Sequence, residues 1–222
     1  MIDDDPEAVN NTRRMSQAPG LSKRRNLEVE VKLACDDLGR LSRAGLQLTL
    51  ETPRHFEDNW LLDLPDQTLL KRGSALRVRS VDGKGTLTYK GLVSEAPLTR
   101  LKVREEIETE IEDPQQVIEL FERLGYRRSF RYQKYRTVYR LERECAVRLE
   151  TDGQALEVVF DETPLGNFVE IEGDEIAVER VLDAAGFTPE ESIRLSYPEL
   201  QAESCRSKGI ALHDLIWKTD DR

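Results

Sequence analysis

From Asn26 onward the chain alternates between two patterns. In short stretches apolar and charged residues swap at every position, and in longer ones apolar residues recur every three or four positions. The first has the period of a half-buried strand, the second that of a helix packed on one side. In Glu28-Val29-Glu30-Val31-Lys32-Leu33 the odd positions are aliphatic and the even ones charged. The same alternation runs through Leu76-Arg77-Val78-Arg79, Leu87-Thr88-Tyr89-Lys90, Val103 to Glu108, Lys134-Tyr135-Arg136-Thr137, Val147-Arg148-Leu149-Glu150, Glu157 to Asp161 and Phe168 to Glu172. Together these predict about eight strands. Asp113-Pro114 stands ahead of Val117, Ile118, Phe121 and Leu124, with Gly125 behind. That is an N-cap, a proline in the first turn and a glycine stop. Asp174 to Gly186 repeats the arrangement, and a weaker copy runs from Asp36 or Asp37 to Gly45. A further helix is expected from about Lys208 to Lys218, where Ile210, Leu212, Leu215 and Ile216 form a stripe suited to a cap or an oligomer contact. Residues 1–24 have no hydrophobic period and read as a disordered leader. The domain is expected over 25–200, with 201–222 as a C-terminal tail.

Composition narrows the class. The chain has 222 residues, 38% of them hydrophobic, enough for one domain with a sizeable core. Charged residues make up 34% and the formal net charge is −10, a mean field that repels phosphates and disfavours a nucleic-acid partner. Any phosphate site has to be a local exception. No apolar run approaches the roughly 20 residues of a membrane span, and the acidic start at Asp3-Asp4-Asp5 lacks a signal-peptide core. The expectation is a cytoplasmic protein with no membrane partner. Cys35, Cys145 and Cys205 have no CxxC spacing, and the histidines are limited to His55 and His213. A disulfide framework, a zinc site and a histidine-based triad are all disfavoured, so any metal ligands are expected to be carboxylates.

Taken singly, each alternating strand reads as a half-buried strand with its charges in water. Taken together, the charged positions are dominated by Glu and Arg repeated at i and i+2, and Arg suits planar oxyanions gripped in fixed geometry. If the sheet closes with this face inward and helices cover the apolar face, the interior gathers many acids and bases. Such charges are tolerable only when paired, hydrated or ion-bound. Bases suit phosphate oxygens, and clustered carboxylates suit a hard cation such as Mg²⁺ or Mn²⁺.

The order of these residues carries a resemblance. Glu28, Glu30 and Lys32 form an ExExK strand; Trp60, Asp63, Leu69-Leu70, Gly73 and Leu76-Arg77-Val78-Arg79 follow as an aromatic, Asp, LL, Gly, LRxR block. Next come Lys90, RxExE at Arg104, Glu106 and Glu108, KxR at Lys134 and Arg136, Asp161, Leu165-Gly166, ExE at Glu170 and Glu172, and Ser196-Tyr197. From about Asn26 to Leu200 the chain resembles the CYTH domain, the triphosphate tunnel metalloenzyme superfamily. It departs from the pattern over Glu57 to Asp63, where the family often has Asp and Tyr ahead of a Phe-Asp pair.

The resemblance implies an α+β fold: a closed eight-stranded antiparallel β tunnel, or barrel, with helices packed on the outside. It implies a small-molecule triphosphate substrate, Mg²⁺ or Mn²⁺ as two ions, and metal-dependent hydrolysis. The alternatives are a class IV adenylyl cyclase making cyclic AMP from ATP and a non-catalytic polyphosphate- or nucleotide-binding module. On the family pattern, Lys32, Arg77, Arg79, Lys90, Arg104, Lys134 and Arg136 hold the phosphates. Arg194, just before Leu195-Ser196-Tyr197, is a candidate for one further contact. Glu28, Glu30, Glu106, Glu108, Asp161, Glu170 and Glu172 are the candidate metal ligands, and Glu28, Glu30, Lys32 and Glu106 the candidate catalytic residues. Trp60 and Tyr135 read as packing residues. The family includes small dimers, which leaves a homodimer open.

Overall fold

The computed structural model describes residues 27–93, 100–149 and 156–218. The expected leader and Glu150 lie outside the described residues. Eight strands form the wall: β1 (Leu27–Ala34), β2 (Leu48–Asp63), β3 (Ala75–Val81), β4 (Lys84–Leu92), β5 (Lys102–Ile111), β6 (Arg127–Leu141), β7 (Glu157–Thr163) and β8 (Gly166–Glu172). They pair antiparallel in the order β5-β4-β3-β2-β6-β7-β8-β1, and β1 returns to β5 to close the barrel. A two-residue strand, β9 (Ser192–Ile193), takes the edge of β1 at Lys32 and Leu33, beyond the reach of β5.

The helices are α1 (Gly39–Arg43), α2 (Thr68–Lys71), α3 (Pro114–Arg123), α4 (Arg143–Arg148), α5 (Glu175–Ala184) and α6 (Tyr197–Ser207). Asp113 caps α3 by accepting from the backbone N–H of Gln115 and Gln116, and Asp174 does the same for α5 at Ile176 and Ala177. The aliphatic positions of β1, β7 and β8 point outward. Val31, Leu33, Val158, Val169 and Ile171 pack there against Ala177, Val178, Val181 and Leu182 of α5, with Leu41 of α1 and Cys145 of α4 in the same cluster. A second cluster sits under α3, where Ile118 meets Leu62, Leu76 and Val78. The barrel is therefore built with its hydrophobic core on the outside and its charged face inside.

Three expectations are corrected. Val147 to Leu149 is not a strand: α4 covers Arg143–Arg148 directly after β6. Cys145 and Ala146 of α4, and Leu149 just past its end, join the outer cluster; Cys145 and Leu149 are four apart, a helical spacing that a four-residue alternation disguises. The eighth strand is instead β2, whose alternation is interrupted by Pro53 and by register shifts near Thr52, His55 and Leu61. Finally, Lys208 to Lys218 is not helical. Gly209, at φ +66°, ends α6, and the chain beyond runs extended along β6. Leu215 donates its N–H to the Arg131 carbonyl (2.9 Å) and accepts from Gln133 (2.8 Å). β7 pairs with β6 only from Tyr135 onward, and the tail satisfies backbone groups that this stretch of edge would leave unpaired. Leu215 itself is buried with Phe130, Tyr132, Phe168 and Tyr197 at one end of the barrel.

Candidate functional site

The barrel encloses a cavity of about 890 Å³. Its wall includes Glu28, Glu30 and Lys32 from β1, Arg77 and Arg79 from β3, Lys90 from β4, and Arg104, Glu106 and Glu108 from β5. Lys134 and Arg136 from β6 and Glu170 and Glu172 from β8 complete the predicted set. Two predicted residues do not border it. Asp161 is fully buried, covered by Lys134, Arg136 and Tyr197 of the lining, and Arg194 is exposed between β9 and α6.

Register decides which charges meet. On β1, Glu28 and Glu30 share a face, and the β1–β8 pairing sets Glu30 opposite Glu172 and Lys32 opposite Glu170. Ligand atoms of Glu28, Glu30 and Glu172 lie within 4.8 Å of one another. Burial, followed by repulsion from Glu30, raises the Glu28 carboxyl from 4.5 to about 7 despite Lys90. Burial and the adjacent Glu170 raise Glu172 further, to about 8. Glu30 is also buried, but Lys102 and the other nearby lysines more than offset that and keep it below its ordinary value.

The remaining acids sit among bases. Asp161 accepts from Lys134 Nζ (2.8 Å), from both Nε and Nη2 of Arg136 (2.8 and 2.7 Å) and from the Tyr197 hydroxyl (2.7 Å). Glu170 takes a further Arg136 bond at 2.6 Å and lies 3.3 Å from Lys32. Its burial is outweighed by Lys32, Arg136 and Lys134, which hold its carboxyl well below the usual range. Burial opposes the charge on Arg136 too, yet Asp161, Glu57 and Glu170 keep it firmly protonated. Glu108 lies 3.7 Å from Arg77 and 3.4 Å from Arg79, and Glu106 lies 3.5 Å from Lys90.

Two site residues escaped the sequence reading. Glu57, 1% exposed, stands opposite Lys134 and lies 3.5 Å from its ammonium and 3.4 Å from Arg79. It belongs to β2, the strand whose broken alternation hid it. Lys102, on the cavity wall, pairs with Glu30 at 2.9 Å. Its parity matches that of Arg104, Glu106 and Glu108, so extending that strand by one step would have revealed it.

Other motif residues turn out to shape the wall. Asp63 accepts from the backbone N–H of Leu64, Leu69 and Leu70, which anchors the turn into α2. Gly73, at φ +64°, takes a left-handed conformation that L side chains rarely adopt. The Gly73 carbonyl accepts from Arg104 Nη2 (2.7 Å), and the Gly91 carbonyl from Arg104 Nε (3.1 Å), so this guanidinium clamps backbone. Trp60 packs beneath Arg128 and Arg131, and Tyr135 between Phe56 and Trp217, as expected of packing residues.

Three carboxylates, oxygen donors only, suit a hard divalent cation, and two of them carry carboxyls raised by burial and mutual repulsion that such a cation would relieve. The residues fit the ion.

Residues 26–196 match the CYTH domain family. A Methanocaldococcus jannaschii protein provisionally named an adenylate cyclase is 28% identical over 187 residues, covering 79% of this chain and 98% of its own length. A solved Pyrococcus horikoshii structure is 29% identical with a TM-score of 0.61, covering 80% of this chain and 99% of its own. A Vibrio parahaemolyticus structure, also provisionally named an adenylate cyclase, shares the fold at 18% identity and a TM-score of 0.62, covering 80% of this chain and 98% of its own.

Proposed function

The chain belongs to the CYTH domain family, and from that premise we propose that it binds a triphosphate inside the barrel together with divalent ions and hydrolyses it. The observation that carries this reading is the division of charge within one lumen. The triad Glu28, Glu30 and Glu172, close enough to share one ion, faces the same cavity as Arg77, Arg79, Lys134 and Arg136, the last three of which are held by the buried acids Glu57 and Asp161.

Glu28, Glu30 and Glu172 would hold a divalent ion, which when bound would supply Lewis-acid neutralisation of phosphate oxygens and ease deprotonation of water. The bases do the positioning. Arg77 and Arg79 from β3 and Lys134 and Arg136 from β6 grip the phosphate chain. Asp161, Glu57 and Glu170 fix Arg79, Lys134 and Arg136, and Tyr132 and Thr88 hold Arg77, before substrate arrives, so little reorganisation is left for the reaction itself. Water attacks the terminal phosphorus, the bond to the bridging oxygen breaks, and the guanidinium and ammonium groups neutralise the charge on the departing diphosphate. Glu106, on the wall beside Lys90, takes the proton of the attacking water. In this reading Asp161 acts as a buried counter-ion beneath Lys134 and Arg136 rather than as a metal ligand.

The test is turnover of inorganic triphosphate, ATP and thiamine triphosphate with Mg²⁺ or Mn²⁺, reading phosphate, pyrophosphate and cyclic AMP together. Chelator-sensitive phosphate release supports hydrolysis, and Arg77→Ala should lower its kcat/KM by about 10²-fold or more. A wild-type rate that survives chelation, or full activity in Arg77→Ala, contradicts the site. The name of the M. jannaschii relative favours one second reading, cyclisation by the ribose hydroxyl, for which cyclic AMP and pyrophosphate are the products.

A further inference from the structure

Lys102 opens β5 and stands opposite Glu30 in the β1–β5 pairing. Its side chain is 18% exposed on the cavity wall, and its ammonium lies 2.9 Å from Glu30 Oε1. Lys90 treats Glu28 in the same way, donating to both carboxylate oxygens at 2.6 and 2.7 Å. Two of the three acids of the candidate metal seat are thus already held by the chain's own ammonium groups.

Other bases of the lumen are tied to partners that a cation would not claim. Arg104 clamps the carbonyls of Gly73 and Gly91. Lys32, 4% exposed, donates to the Leu195 carbonyl at 3.0 Å and sits 4.1 Å over the Tyr197 ring. Lys102 is tied instead to an oxygen of the metal seat, on a flexible four-carbon stem that can turn. Burial works against ionisation of Glu30, and Lys102 leads the charges that restore it.

Granted the metal and triphosphate reading above, we propose that Lys102 is a phosphate-binding residue, held on Glu30 until a divalent ion takes its place. An ammonium and a divalent ion cannot share one carboxylate at close range without repulsion. The ion claims Glu30, Lys102 swings into the lumen, and the anion that meets it there is the triphosphate. Metal and triphosphate sites are thereby linked, and the linkage is reciprocal: triphosphate that draws Lys102 away leaves Glu30 open to the ion.

The test compares wild type, K102Q, K102M and K102R in two titrations, with melting curves to confirm folding. The first measures Mn²⁺ binding without phosphate, and the second a bridging-imido analogue of inorganic triphosphate at saturating Mn²⁺. Removing the competing ammonium should tighten Mn²⁺ binding in K102Q and K102M by about threefold. Losing a charge-assisted contact should weaken analogue binding in the same variants by about tenfold. K102R, which keeps the charge, should bind the analogue within about twofold of wild type. Unchanged Mn²⁺ affinity in the neutral variants overturns the competition at Glu30, and unchanged analogue affinity overturns the phosphate contact. A wild-type chain that binds neither probe overturns the tunnel reading itself, together with the role of Lys102.

Discussion

Asp161 accepts hydrogen bonds from Lys134, Arg136 and Tyr197, and it and Lys134 are essentially sealed from solvent. Removing one partner of a buried ion pair leaves the other charge uncompensated, so Asp161→Ala should cost about 3–5 kcal/mol. Urea denaturation checks this, and a midpoint equal to wild type would remove Asp161 from the role of structural counter-ion. Glu57 makes the same kind of contact with Lys134 and Arg79 from β2. Glu28 and Glu172 are different. Burial, with repulsion from neighbouring carboxylates, raises their carboxyls to about 7 and about 8, in the case of Glu28 in spite of Lys90. The same residue type thus serves as a fixed anion in one place and as a proton-holding, cation-seeking group in another, according to its burial and the charges gathered around it.

Among the elements, those with strong local chemistry behave as their sequences say. Asp113 and Pro114 start α3, and Gly125, at φ +96°, follows its end. Asp113→Ala should destabilise the protein by about 1 kcal/mol through loss of the two capping bonds to Gln115 and Gln116. Chemical denaturation reads that loss directly, whereas no loss would show that α3 is held by packing on Leu62, Leu76 and Val78 alone. Where local signals are weak, partners decide. Leu215 joins β6 in an extended strap rather than a helix because β7 leaves β6 before Gln133, and Leu215 takes up the Arg131 carbonyl and the Gln133 N–H on that side. Residues 143–148 turn into α4 because Cys145 and Leu149 meet the outer core together. The sixteen residues of β2 stay in the sheet through pairing with β3 and β6, in spite of Pro53.

Over the whole molecule, apolar surface of the barrel is buried outward under helices, and the charge it encloses leaves two glutamates, Glu28 and Glu172, with raised carboxyls. Without metal, Glu28 and Glu172 keep protons in the folded chain at pH values where an unfolded glutamate, at 4.5, has lost them. Between about 4.5 and 8 the folded state therefore binds more protons, so stability of the metal-free protein falls as pH rises through that window and levels off above it. A divalent ion should reverse the trend, adding about 2.7 kcal/mol at a hundredfold excess over its Kd. Melting curves from pH 5 to 9 with chelator or Mn²⁺ check both halves, and a metal-free profile that rises with pH would contradict the triad. Alternation along the strands was enough to determine that charges line one face and aliphatics the other, because side-chain direction in a strand is set by the backbone at every second residue. The caps of α3 and α5 were equally local. Which charges meet was decided only by strand pairing in the closed barrel: register sets Glu30 against Glu172, more than a hundred positions away, and Asp161 against Arg136, 25 positions away, and local alternation specifies neither partner. Glu57 and Lys102 became visible for the same reason: their roles are written in the strands opposite them.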